Sequence, residues 1–175
     1  DRRDTGHGGS LGNSSFLPYG NVPVEAAGSP TAETMKMLVR FGPKAVPALL
    51  DHLTDDRPTK YTITHSGGLG SMSIGIDEGE AKEPQPERGA FRETRYTVKV
   101  ADLCYVAIGQ IVNRDYRVMH YQPTAIYFVT CIPKSKKLRE EAIRSWSNLT
   151  PANHRESLVR DFTEAKDDIQ RNGAI

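Results

Sequence analysis

Apolar residues recur at helical spacing over most of the chain, and one central stretch alternates with a period of two instead. Ser29-Pro30 opens the first helical block, a serine N-cap followed by proline at the first helical position. Met35, Leu38 and Val39 share a face, and Gly42 stops the helix. Pro43 restarts the chain, and Val46, Leu49, Leu50 and Leu53 make a second stripe. Two short helices joined at a single Gly-Pro are expected to fold back as an antiparallel hairpin.

The period then changes. Tyr61 to His65 and Met72 to Ile76 alternate as strands do, and Ser66-Gly67-Gly68-Leu69-Gly70 between them suits a hairpin turn. Residues 77–89, with Asp77, Glu78, Glu80, Glu83 and Glu87 among prolines, read as an acidic loop. A third alternating run, Thr94 to Val98, leads back to helix. Val100, Cys104, Ala107, Ile108 and Ile111 then lie on one helical face. His120-Tyr121-Gln122-Pro123 reads as a loop, and Ala125 to Thr130 as a buried strand or an irregular core segment. Ser135 opens a helix with Leu138, Ala142, Ile143, Trp146 and Leu149 inward. Thr150-Pro151 opens a last one, striped by Leu158, Val159, Phe162, Ala165 and Ile169 and ended by Asn172-Gly173. These last two helices are expected to form a second hairpin.

The segment Leu38 to Asp56 resembles a HEAT repeat. It carries a glycine between the helices (Gly42), an Ala45-Val46-Pro47 entry, the paired Leu49-Leu50, and aspartate after the second helix. In that family the next repeat opens with valine and closes its first helix with Ala-Leu-Gly. Val100, Ala107, Ile108 and Gly109 hold those places, but only after residues 57–99. The whole chain also looks similar to bacterial proteins of unknown function with HEAT-like segments. The resemblance implies a mainly α fold of HEAT-like helical hairpins, of the α-α superhelix type, with a β-hairpin-rich insertion at about residues 57–99. Loops accept such additions because closure entropy grows only logarithmically with length. Stacked hairpins of this kind bury one face each and complete a core between them.

Composition refines this picture. A chain of 175 residues fits one domain. Glycine and serine clusters in residues 1–30 read as a flexible N-terminal arm, with Phe16, Leu17 and Tyr19 as anchoring residues, before a single domain over 31–175. Ala125 to Val129, the most apolar run, is far short of the ~20 residues a membrane span needs. The chain starts at Asp1, so removal of a leader or a cloning boundary leaves the compartment open between cytoplasmic and exported.

Signals for chemistry are weak. The five histidines form no short metal-ligand spacing, and Cys104 and Cys131 have no CxxC or Cys/His arrangement. No metal and no cofactor is expected. Cys104 reads as a small buried hydrophobe, with a disulfide to Cys131 or a reactive thiol as alternatives. His65, Asp102 and His120 are the candidate catalytic residues: if they converge, with Cys104 nearby, they could support acid–base or nucleophilic chemistry. Gly67-Gly68-Leu69-Gly70 lacks the lysine-serine or lysine-threonine pair and the following helix of a phosphate cradle. Lys134, Lys136, Lys137, Arg139 and Arg144, joined by Arg114 and Arg117, are the candidate nucleic-acid surface. The net charge of +1 argues for a solvated helix face instead. Asn13-Ser14-Ser15 and Asn148-Leu149-Thr150 match glycosylation sequons. The expected function is therefore non-enzymatic: a scaffold that binds another protein through its helical surface or through Met72, Ile74 and Ile76 of the insertion.

Overall fold

The computed structural model describes residues 30–65, 71–74, 94–122, 126–164 and 171. The chain is mainly helical. Helix α1 (Pro30–Phe41) ends where Gly42 adopts φ +60°, a 3-10 turn (Gly42–Lys44) follows, and α2 is Val46–Asp51. Helix α3 (Val100–Val112) is the centre of the molecule. Its sequence is apolar almost all round, and Ala101, Cys104, Tyr105, Val106, Ala107, Ile108, Ile111 and Val112 are all buried, as expected of a helix surrounded by others. Both α1 and α2 pack on α3. Val46, Leu49, Leu50 and Leu53 supply their share of the core, so the inward stripe of α2 is as expected, while α1 and α2 each find their main partner in α3 rather than in each other.

Asn113 ends α3 in the left-handed conformation at φ 53°, and the Arg114 amide caps the Gly109 carbonyl at 2.8 Å. Helix α4 (Lys136–Trp146) starts at Ser135, whose hydroxyl accepts from the Leu138 amide at 3.4 Å. Helix α5 (Pro151–Glu164) starts at Thr150, whose hydroxyl accepts from the Asn153 amide at 3.2 Å. Both capping residues act as the sequence indicates. The two helices find their main partners elsewhere than in each other: α4 packs on α2, and α5 on α3 and the 3-10 turn.

The strands pair differently from expectation. Strand β1 (Pro58–His65) is antiparallel to β3 (Thr94–Lys99), with an irregularity between Pro58 and Thr62. Strand β2 (Ser71–Ile74) runs parallel to β5 (Ile126–Val129), and β5 is antiparallel to β4 (Met119–Gln122). No β1–β2 hairpin forms; the two strands lie in separate sheets. Period-two alternation marks a strand but carries no information on its partner. The apolar run Ile126-Tyr127-Phe128-Val129 takes the middle of its sheet, where both backbone edges are satisfied. Its other partner is Met119 to Gln122, much of which the sequence pattern assigns to a loop.

The chain leaves the helical layer and returns to it at one point. The Val100 amide donates to the Arg57 carbonyl and the Ala101 amide to the Asp55 carbonyl, each at 3.0 Å. Strand β2, which lies between these two points in sequence, joins a sheet with residues that follow α3.

Further corrections concern the outer helices. Ile143, placed inward by its spacing, is exposed, as are Val159 and Phe162, whereas Ser157 and Asp161 are buried. The N-terminal arm, the Gly67–Gly70 tip, the acidic loop, Ile76, Ala165, Ile169 and Asn172-Gly173 lie outside the described residues.

Candidate functional site

Asp102 is the most buried ionisable group described, with no exposed surface. It stands in the first turn of α3, where a carboxylate is favoured by the helix dipole and can reach back to the chain preceding the helix. Its Oδ2 accepts from the Lys99 amide at 2.8 Å and from the Tyr96 hydroxyl at 2.5 Å. Its Oδ1 accepts from the Ile132 amide at 3.0 Å. One side chain therefore joins β3, the start of α3 and the turn before α4. Burial raises the Asp102 pKa, opposed by the Tyr96 hydroxyl and then by the two amides. Burial, with Asp102 and Cys131 alongside, pushes the Tyr96 hydroxyl far above its ordinary range.

The other two residues of the proposed catalytic set are placed apart in the topology. His65 ends β1, opposite Thr94 of β3. His120 lies in β4, opposite Phe128 of β5, in the other sheet. Asp102 has both oxygens engaged by protein donors, which fits a structural role for it. Cys104 and Cys131 are both free thiols and both buried. Burial first, then Asp55 and Asp102, pushes the Cys104 thiol up to about 11, which suppresses the thiolate a nucleophile needs. Among the described residues, no group of three His, Cys, Asp or Glu side chains could hold a metal ion.

A carboxylate that the sequence pattern did not single out lies at the surface end of the same region. Asp55 takes a two-pronged contact from Arg57 (Nε to Oδ1 at 2.9 Å, Nη2 to Oδ2 at 2.6 Å), with His52 Nδ1 at 3.4 Å. The Arg57 guanidinium holds Asp55 down at about 2. This cluster fastens the root of the β excursion, since Asp55 and Arg57 also bond the first amides of α3.

At the far end of α3 a second polar network forms. Asp161 of α5 accepts from Asn113 Nδ2 at 3.0 Å and from Arg114 Nη1 at 2.5 Å. The Arg114 guanidinium lies 5.9 Å over the Trp146 ring, and Trp146 donates its indole N–H to the Tyr116 hydroxyl at 2.7 Å. Tyr116 stacks on Tyr105 with centroids 4.4 Å apart. This close approach needs Gly109, because a Cβ there would sit 2.5 Å from that of Tyr116. His154 Nε2 lies 2.6 Å from the Ile111 carbonyl. Sequence reasoning missed this network. The available signal was Asn113, a residue suited to a left-handed helix end, followed at once by Arg114.

Several cations of the proposed nucleic-acid surface are engaged within the protein. Arg114 binds Asp161, Arg117 binds Asp115, and Arg139 bonds the carbonyls of Ile132 and Pro133. Lys134, Lys136, Lys137 and Arg144 remain at the surface with Glu140 and Glu141, and Lys136 lies 3.6 Å from Glu140. Among the described residues no helix is long and apolar enough to cross a membrane.

Large apolar side chains stand exposed among the polar ones on α1 and α5. Met37 and Phe41 on α1 keep 57% and 62% of their surface, and Val159 and Phe162 on α5 keep 57% and 48%. Both helices adjoin the 3-10 turn Gly42–Lys44. Comparison with protein-family models, with curated proteins and with solved structures gives no match for this chain.

Proposed function

We propose that the protein is a non-catalytic interaction module, a HEAT-like helical scaffold that binds another protein through the outer faces of α1 and α5. One observation carries this reading: α5 spends part of its inward face on polar side chains and leaves two large apolar ones outside. Its Ser157 and Asp161 are buried while Val159 and Phe162 face solvent. Asp161 explains the orientation, because it is drawn inward by Asn113 and Arg114 at the end of α3. The consequence is large apolar surface on a helix whose own fold does not cover it. Grouped exposed apolar side chains mark interaction sites, whereas single ones need no explanation. The engagement of Asp102 by Tyr96, Lys99 and Ile132 supports the non-catalytic side of the proposal. The shared root of residues 57–99, at Asp55 and Val100, supports an insertion between neighbouring HEAT-like hairpins.

Selection of a displayed random-peptide library on the immobilised protein tests the reading. Enriched peptides should carry apolar residues and lose binding to a Val159→Ser/Phe162→Ser or a Met37→Ser/Phe41→Ser variant, with circular dichroism unchanged. Peptides that bind both variants as well as wild type, or no enrichment at all, overturn it.

A further inference from the structure

We infer that α5 is a polar latch, a helix that unfastens from the end of α3 as a unit while the rest of the helical layer stays folded. Release needs no partner, so this goes beyond the interaction reading and does not depend on it. The other outer helices all put apolar side chains against the core: Met35, Leu38 and Val39 from α1, Val46, Leu49 and Leu50 from α2, and Leu138, Ala142 and Trp146 from α4. Among the described residues of α5, no apolar side chain joins that cluster. Val159 and Phe162 are exposed, and Leu158 is partly buried without reaching it. The inward face of α5 is His154, Ser157 and Asp161, which share one side of the helix. His154 Nε2 lies 2.6 Å from the Ile111 carbonyl. The Ser157 hydroxyl accepts from Arg114 Nη2 at 3.4 Å, and Asp161 accepts from Asn113 Nδ2 at 3.0 Å and from Arg114 Nη1 at 2.5 Å.

Apolar and polar docking respond differently to opening. Water offers no substitute for an apolar contact, but it can serve every group in this latch. On release the Ile111 carbonyl, the Asp161 carboxylate and the Arg114 guanidinium are all hydrated, which is why the net worth of such bonds is small. Regained hydration offsets much of the lost attraction between Asp161 and Arg114. Arg114 keeps 30% of its side-chain surface, so salt also reaches the pair. A helix of 14 residues is marginal once detached, so the released segment frays and does not hold the closed geometry in reserve. Segments with few buried apolar contacts open before the global transition. Closed, the latch covers Asn113, Arg114 and the Ile111 carbonyl; open, it hands that end of α3 to solvent.

Native-state hydrogen exchange on the full chain, resolved by residue, tests this. Relative to unstructured rates, amides of residues 155–164 should exchange at least about a hundred-fold faster than those of residues 104–112 in α3, with little dependence on low urea. Asp161→Asn should speed α5 by about ten-fold more and leave α3 within about two-fold. His154→Ala, which keeps the ion pair, should speed α5 in the same sense by a smaller factor. Equal protection of α3 and α5 in the wild type overturns the inference. So does exchange in α5 that depends on urea as steeply as that of α3, because opening would then be global. Acceleration of both helices together in either variant overturns it as well. Val159→Ser with Phe162→Ser should leave α5 exchange nearly unchanged; an acceleration matching that of Asp161→Asn would show that apolar contacts hold the helix, and the latch would be refuted.

Discussion

At its first turn α3 is tied down by Asp102, and just past its last turn by Asp161, two buried carboxylates with opposite surroundings. Asp102 is met by a hydroxyl and two backbone amides, with no cation among the donors. Asp161 is met by an amide and by the Arg114 guanidinium, and Arg114 keeps 30% of its side-chain surface. The first arrangement is a dry staple between three segments of one core. The second is an ion pair at the core's margin, shielded by Trp146. The difference teaches that a buried acid can be held by geometry alone at one site and by charge at another. The cost of removing each should differ accordingly.

Asp102→Ala should have the largest effect. It leaves the Tyr96 hydroxyl and the Lys99 and Ile132 amides without an acceptor, and each buried orphan costs about 1–3 kcal/mol. A loss of about 3–5 kcal/mol in urea unfolding is expected. A change below about 1 kcal/mol would mean that the three segments are held together by other contacts.

Next in size is Gly109→Ala, which probes the aromatic side of the second network. The new methyl would meet the Tyr116 Cβ at 2.5 Å and the Arg114 carbonyl at 2.8 Å, one of them backbone. Forced repacking of this kind costs about 1–3 kcal/mol. Near-UV circular dichroism should report the loss of the Tyr105–Tyr116 stack, and an unchanged spectrum would show that the stack tolerates displacement.

Arg114→Ala should cost about 1.5–3 kcal/mol, the range for hydrogen bonds to charged groups, because Asp161 then loses the guanidinium that offsets its buried charge. A double-mutant cycle with Asp161→Asn should return a coupling of about 1–2 kcal/mol. Independent, additive effects would break the contrast between the two ends of α3.

The pH dependence sharpens the same contrast. Burial raises the Asp102 pKa above the ordinary carboxylate range, so the folded state holds that proton more tightly than the unfolded chain does. The Asp102 contribution to stability is therefore greatest below the unfolded-state pKa. It falls as pH rises from there through the raised folded value, and then levels off. Asn at position 102 has no such proton. The stability of wild type minus that of Asp102→Asn should shrink between acid and neutral pH, a difference that cancels the titration of every other group. A difference that grows with pH would show that the three donors outweigh burial.

How much of this was legible in the sequence follows from which forces are local. The first two helices, the caps at Ser135 and Thr150, and the buried stripe of α3 depend on spacing within one helix, and spacing is written along the chain. Strand pairing is not local. Tyr61 to His65 and Met72 to Ile74 alternate in the same way, yet one pairs with Thr94–Lys99 and the other with Ile126–Val129. Apolar spacing gives the inward side of α4 correctly at Leu138, Ala142 and Trp146, but Ile143 of α4 and Val159 and Phe162 of α5 fall at inward spacing and stand exposed. The orientation of α5 is governed by a contact forty-seven and forty-eight residues away in sequence, between Asp161 and the pair Arg114 and Asn113. Asp102 is legible as a cap from its place in the first turn of a helix, whereas its reach to the Ile132 amide, thirty residues on, is not.

The smallest expected effect is at the surface, and it bears most directly on function. Val159→Ser and Phe162→Ser remove apolar groups that are 57% and 48% exposed, so little buried area is lost. Changes of this sort at a surface stay within about 0.5 kcal/mol, and here they should leave unfolding unchanged or slightly raise the midpoint. Light scattering should show less self-association at high concentration, since each variant dilutes an uncovered apolar patch. A larger destabilisation would mean that these side chains already serve the fold, and α5 would then be an ordinary packed helix. Stability that holds while peptide binding disappears would separate the two tasks of the helix. Asp161 and Ser157 would fasten it inward, leaving Val159 and Phe162 for the partner.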